Sequence, residues 1–124
     1  MSVKGCGVDL IEIARIAKAL KRESFRFRVY TAHERHYLQD RPPQSWAARF
    51  AAKEAVMKAL GRGWQQGVSF CNVEIRSNQW GQPSVHLLGE AQEVAKDLGV
   101  TGFTLSLSHS KELAMAYVIA LGED

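Results

Sequence analysis

The stretch Arg49-Phe50-Ala51-Ala52-Lys53-Glu54-Ala55-Val56-Met57-Lys58-Ala59-Leu60 leaves little choice of local structure. It contains no glycine or proline, and with Ala48 ahead of it carries five alanines, the best helix former. At about 3.6 residues per turn, Ala48, Ala51, Ala52, Ala55 and Ala59 fall on one side. That face is small enough for the helix to lie close against a sheet. Trp46, Phe50 and Met57 form a stripe on the opposite side, with Arg49 and Lys53 along one edge and Glu54 and Lys58 along the other. One carboxylate thus stands among several cations, beside apolar side chains that limit water. Such a setting suits a divalent cation and the phosphates around it. The same spacing also describes two ordinary i,i+4 pairs on a solvated helix, Arg49/Lys53 repelling and Glu54/Lys58 attracting, worth only ~0.2–0.5 kcal/mol each. Periodicity leaves both readings open.

A chain of 124 residues suits one domain, taken here as residues 1–124, with room for a substantial core. No apolar run reaches transmembrane length, and the longest, residues 113–121, has the size of a buried strand. Asp9 and Glu12 interrupt the first apolar residues, unlike a secretory leader. Cys6 and Cys71 are far apart within apolar patterns, and read as reduced core residues of a cytoplasmic protein. The net charge of +3 hides an asymmetry: residues 14–28 carry six basic side chains against Glu23 alone, and the remainder is mildly acidic. A basic patch of this kind suits a nucleic acid, a membrane surface or an acidic protein.

Residues 3–11 read as a strand, with Cys6, Val8 and Leu10 alternating against Gly7 and Asp9. Asp9 precedes a helix carrying Ile13, Ile16, Ala17 and Leu20, where capping is an ordinary job for Asp. Thr31 and Glu34 have capping-box spacing for a short helix through Leu38, and Pro42-Pro43 opens the long helix. Gly61, Gly63 and Gly67 mark the loop that follows. Residues 68–76 read as a strand with Cys71, Val73 and Ile75 on one face, Asn78-Gln79-Trp80-Gly81 as a turn, and residues 84–88 as the returning strand. Ala91, Val94, Ala95 and Leu98 define another helix ended by Gly99. Phe103, Leu105 and Leu107 then alternate with Thr104, Ser106 and Ser108, a half-buried strand paired with residues 113–121. Adjacent hairpins and segregated helices predict an α+β fold, a mainly antiparallel sheet packed against the long helix.

Three separated motifs, Gly7-Val8-Asp9-Leu10-Ile11-Glu12-Ile13-Ala14-Arg15, Arg49-Phe50-Ala51-Ala52-Lys53-Glu54-Ala55 and Ser106-Leu107-Ser108-His109, occur in register. With them come Thr31/Glu34, the Gly67-Val68-Ser69-Phe70 strand entry and the Trp80-Gly81-Gln82-Pro83 turn. In these features the chain closely resembles the holo-acyl-carrier-protein synthases, the small bacterial type of 4′-phosphopantetheinyl transferase. The resemblance implies Mg²⁺-dependent transfer of phosphopantetheine from coenzyme A to a serine of apo acyl carrier protein, with 3′,5′-ADP leaving. It implies that Asp9 and Glu54 bind the metal, which fits the preference of Mg²⁺ for a few hard oxygens. Lys58, one turn beyond Glu54, corresponds to the lysine facing the pyrophosphate. Glu54, directly or through a metal-bound water, takes the serine proton. Ser108 and His109 correspond to residues holding the nucleotide's phosphates, with Arg49 helping and Gly61, Gly63, Gly81 and Pro83 at the coenzyme A site. The loop Gly61-Arg62-Gly63-Trp64 departs from the family's usual Gly-Thr-Gly followed by a small apolar residue, which alters how nucleotide or pantetheine is held.

By the same resemblance, the basic helix docks the acidic carrier through Arg15, Lys18, Arg22 and Arg26, with Phe25 as an apolar anchor. It further implies a homotrimer whose sites lie between subunits, Asp9 and Glu54 of one copy facing Ser108 and His109 of the next. A nucleic-acid-binding module is the rival from another class, but the basic segment has few interleaved aromatics and no standard motif. A Mg²⁺-dependent nucleotide phosphohydrolase would use Asp9, Glu54 and Lys58 equally well. Incubation with coenzyme A alone separates it, since a hydrolase needs no carrier.

Overall fold

The computed structural model describes residues 1–62 and 67–124. Strand β1 (Ser2–Glu12) leads into helices α1 (Ile13–Ala19), α2 (Glu23–Val29), α3 (Ala32–Leu38) and α4 (Pro43–Leu60). A 3₁₀ turn at Phe70–Asn72 precedes β2 (Val73–Ser77) and β3 (Pro83–Leu87), followed by α5 (Gly89–Leu98), β4 (Val100–His109) and β5 (Leu113–Gly122). One antiparallel sheet has the order β1-β5-β4, and β2 and β3 form a separate hairpin. The expected α+β architecture is present, with the apolar run of residues 113–121 as the central strand.

Helix α4 starts with Pro43 in its first turn, where the missing N–H has no partner to lose, and ends at Gly61 with φ 68°. Its alanine face lies on the sheet as expected. Ala51, Ala52 and Ala55 are fully buried against an inner sheet face that includes Ala114, Ala116, Val118 and Ala120 of β5. The approach is so close that a Cβ on Gly5 or Gly7 would stand 2.1 Å from the Ala59 carbonyl oxygen or 2.0 Å from that of Ala55. Small residues on both elements therefore set how deeply the helix seats.

The other side of α4 departs from expectation. Trp46, Phe50 and Met57 are themselves buried in the core. Phe50 stacks between Phe25 at 6.1 Å and Phe70 at 5.4 Å, and Tyr30 meets Trp46 edge-on at 5.0 Å while donating its hydroxyl to the Trp46 carbonyl. Lys53 is buried as well and lies 2.6 Å from Glu34. The Thr31/Glu34 capping box forms as expected, and Glu34 also accepts from the Ile75 N–H at 2.7 Å.

Three other expectations are corrected. In β1 the alternation is right but the faces are exchanged: Gly5, Gly7, Asp9 and Ile11 turn toward α4, while Cys6, Val8 and Leu10 are exposed, so Cys6 is not a core residue. The expected strand at residues 68–76 starts only at Val73, because Ser69 and Asn72 exchange side-chain and backbone bonds that wind residues 70–72 into a 3₁₀ turn carrying Cys71. The basic segment is two helices, α1 and α2, whose break lets Ile13 and Ile16 of one and Phe25 and Val29 of the other all turn inward.

Candidate active site

Asp9 does not cap α1, whose N-cap is Glu12 without a side-chain bond. It sits instead on the inner face of β1, paired with Ala116, and Lys58 reaches it from the last turn of α4. The Lys58 ammonium donates to Asp9 Oδ1 at 3.2 Å and to the Val8 carbonyl at 2.9 Å. Asp9 Oδ2 is buried and has no hydrogen-bond partner among the described residues. Half-buried Glu54 stands one turn before Lys58, and its carboxyl is pushed above the usual range, chiefly by burial and then by the charge of Asp9. Lys58 and Arg15 oppose that shift. Two carboxylates that repel each other, one with an oxygen left over, fit a hard divalent cation. Among the described residues no third His, Cys, Asp or Glu joins them in a metal-holding group, so water and substrate oxygens would complete the coordination.

A cleft of ≈ 400 Å³ gathers five more of the expected residues: Arg49, Gly81, Pro83, Ser108 and His109. Gly81, at φ 80°, ends a turn in which Asn78 Oδ1 accepts from the N–H groups of Trp80 and Gln82 at 2.9 Å each. Ser108 and His109 come from the end of β4, at the cleft's other side. The cleft lining includes none of Asp9, Glu54 and Lys58. Strand register gives the reason. Asp9, Ala116 and Leu107 align across the sheet on one face, and Leu10, Met115 and Ser108 align on the other. Asp9 and Ser108 therefore point away from each other in one chain.

A family model described as the 4′-phosphopantetheinyl transferase superfamily matches residues 5–120. The chain belongs to that superfamily. It is 43% identical to a holo-[acyl-carrier-protein] synthase of Ruminiclostridium cellulolyticum, over 94% of this chain and 92% of the relative. A solved holo-[acyl-carrier-protein] synthase of Neisseria meningitidis superposes with a TM-score of 0.86 at 31% identity, covering 97% of this chain and 99% of that one. One from Bacillus anthracis, in complex with CoA (3′,5′-ADP), gives 0.81 at 34% identity, with 98% of each chain covered.

On this superfamily fold, the residues expected to dock a carrier divide. Arg15, Lys18, Arg22 and Phe25 share a groove of ≈ 570 Å³ with Lys21 and Arg28. Phe25, only 7% exposed, is the groove's apolar floor rather than a protruding anchor. Arg26 turns elsewhere: it donates to the Leu20 carbonyl and borders a separate depression beside Arg35 and His36. Gly61 caps α4 with open space where a Cβ would stand, whereas Gly63 and Trp64 lie outside the described residues. Lys53, expected along the edge of the site, faces Glu34 in the core. Sequence reading missed Ser45 and Gln82 in the cleft wall. Their closeness in sequence to Arg49 and Pro83 was the available signal.

Proposed function

We infer that this chain, acting as one domain, transfers the 4′-phosphopantetheine of coenzyme A to a serine of apo acyl carrier protein and releases 3′,5′-ADP. The observation that carries this reading is the buried Asp9 oxygen, without a hydrogen-bond partner among the described residues, beside Glu54 and Lys58 in a chain of this superfamily. The serine oxygen attacks the phosphorus bearing pantetheine, and the bond from that phosphorus to the ADP phosphate oxygen breaks. The serine proton passes to the Glu54 carboxylate, whose raised proton affinity suits a base. Lys58, oriented by Asp9 and the Val8 carbonyl, neutralises charge on the leaving phosphate. Asp9 and Glu54 would hold Mg²⁺, which when bound supplies positive charge to the phosphoryl oxygens. Arg49, Ser108 and His109 hold the nucleotide's phosphates, and Arg15, Lys18 and Arg22 receive the acidic carrier.

The opposed directions of Asp9 and Ser108 support a site completed by a second copy, in a homotrimer. So does the open sheet face, where Val8, Leu10, Met115 and Tyr117 are 48%, 59%, 39% and 45% exposed, an apolar patch that invites a partner. No helix among the described residues is long and apolar enough to cross a membrane. Free Cys6 and Cys71 fit the reducing cytoplasm.

Intact-mass analysis of an apo carrier incubated with coenzyme A, Mg²⁺ and the protein tests the reaction. The expected product is the carrier heavier by one phosphopantetheine, and its absence from an otherwise complete mixture would reject the reading. Co-refolding inactive Asp9→Ala and His109→Ala variants in equal amounts tests the shared site. Random assembly returns roughly a quarter of wild-type activity if the two residues come from different subunits, and none if one chain supplies both.

A further inference from the structure

Arg49 is the arginine of the cleft, yet one of its nitrogens is already committed twice behind it. Its Nη2 donates to Ser77 Oγ at 2.6 Å and to the Tyr37 hydroxyl at 3.5 Å, joining α4 to the end of β2 and to α3. Its Nε is buried and without a partner among the described residues. The guanidinium carbon lies 5.1 Å from the centroid of the Tyr37 ring, and that ring carries Arg41 at 4.0 Å as well. Neither Ser77 nor Tyr37 lines the cleft. Burial pulls the Arg49 guanidinium down from its usual value, so the cleft holds a partly desolvated cation that makes no salt bridge among the described residues.

We propose that Ser77 and Tyr37 are positioning residues, which hold Arg49 so that its free edge meets an anionic group of the nucleotide substrate in the cleft. The inference rests on the coenzyme A reading above. An arginine side chain has many rotamers, and fixing one before binding removes an entropic cost that the ligand would otherwise meet. Ser77 closes β2, paired with Pro83 of β3, and its short side chain meets Nη2 there. Because the clamp acts on a group that binds and does not react, its loss weakens substrate affinity while turnover stays.

Calorimetric titration of coenzyme A into the protein without carrier isolates this effect. Ser77→Ala is expected to weaken binding about tenfold, as for losing a hydrogen bond to a charged group, and Ser77→Thr to restore it. Steady-state kinetics should show KM for coenzyme A rising about as much, with kcat and KM for the carrier within about twofold. In an Arg49→Ala background, Ser77→Ala should have no further effect, since its action runs through Arg49. Full affinity in Ser77→Ala, or an undiminished loss on top of Arg49→Ala, would overturn the clamp. If Ser77→Ala melts early, Tyr37→Phe answers the same question, with an expected two- to threefold loss (about that, for so long a bond) and unchanged affinity counting against it. A wild type that binds no coenzyme A would instead remove the underlying reading.

Discussion

Lys53 and Lys58 stand five residues apart on α4, and each reaches a carboxylate on another element. The Lys53–Glu34 pair is closed at 2.6 Å, with both side chains wholly buried. Every oxygen of that carboxylate is used: Oε1 accepts from Lys53 and the Thr31 N–H, and Oε2 from the Ile75 N–H. Lys53 also donates to the Val73 carbonyl at 2.5 Å. The Lys58–Asp9 pair is looser at 3.2 Å, its lysine half exposed, with one Asp9 oxygen left without a partner among the described residues. A pair wholly buried, with both carboxylate oxygens engaged within the protein, holds elements together. One with capacity left over can bind something else.

The largest effect should come from breaking the closed pair. Lys53→Met leaves a buried carboxylate unpaired, and breaking such a pair costs about 3–5 kcal/mol. Total stabilities of small domains are only ~5–15 kcal/mol, so the urea midpoint should fall steeply. Adding Glu34→Gln to Lys53→Met should recover part of the loss, because no charge is then stranded. Lys58→Met should cost no more than about 1 kcal/mol, as for other exposed pairs, while turnover falls at least about tenfold. Equal destabilisation by the two lysine variants would erase the distinction.

Next in size is the charge at Asp9. Asp9→Asn keeps the shape of the side chain and removes the anionic oxygens, so turnover should drop by at least about two orders of magnitude. The urea midpoint should stay near that of the wild type, since Asp9 Oδ2 makes no hydrogen bond among the described residues. Near-normal turnover by a folded Asp9→Asn protein would show that the leftover capacity is idle.

Much of this was legible in the sequence, and the failures share a cause. Alanine spacing, Pro43 and Gly61 place α4 because these signals are local, and the motifs single out Asp9 and Glu54 as candidates with Lys58 one turn beyond. Periodicity cannot say which of two faces is buried. Cys6, Val8 and Leu10 alternate as a strand should, yet Gly5 and Gly7 form the buried face because α4 comes too close for side chains there. Lys53 looked like a site cation because Glu34, its partner, is 19 residues away. The opposite directions of Asp9 and Ser108 likewise rest on register: only pairing Asp9 with Ala116 and Ser108 with Met115 turns them to opposite faces.

The smallest effect concerns Glu54, and it sharpens the comparison by asking what unused capacity costs the fold. In the metal-free protein, burial and the Asp9 charge raise the Glu54 carboxyl above its ordinary 4.5, so the folded state favours the protonated form. A raised carboxyl contributes stability that is present below the unfolded value and is lost as pH rises through the folded one. Glu54→Gln cannot ionise and does not lose it. Thermal melts in a chelator should therefore show the variant gaining on the wild type as pH rises from below 4.5 toward neutrality. Mg²⁺ should then close the gap by stabilising the wild type alone, since only that protein offers both carboxylates. A gap that is flat across this pH range would mean that Glu54 is not strained by its neighbours, and that Asp9 alone carries the unspent capacity.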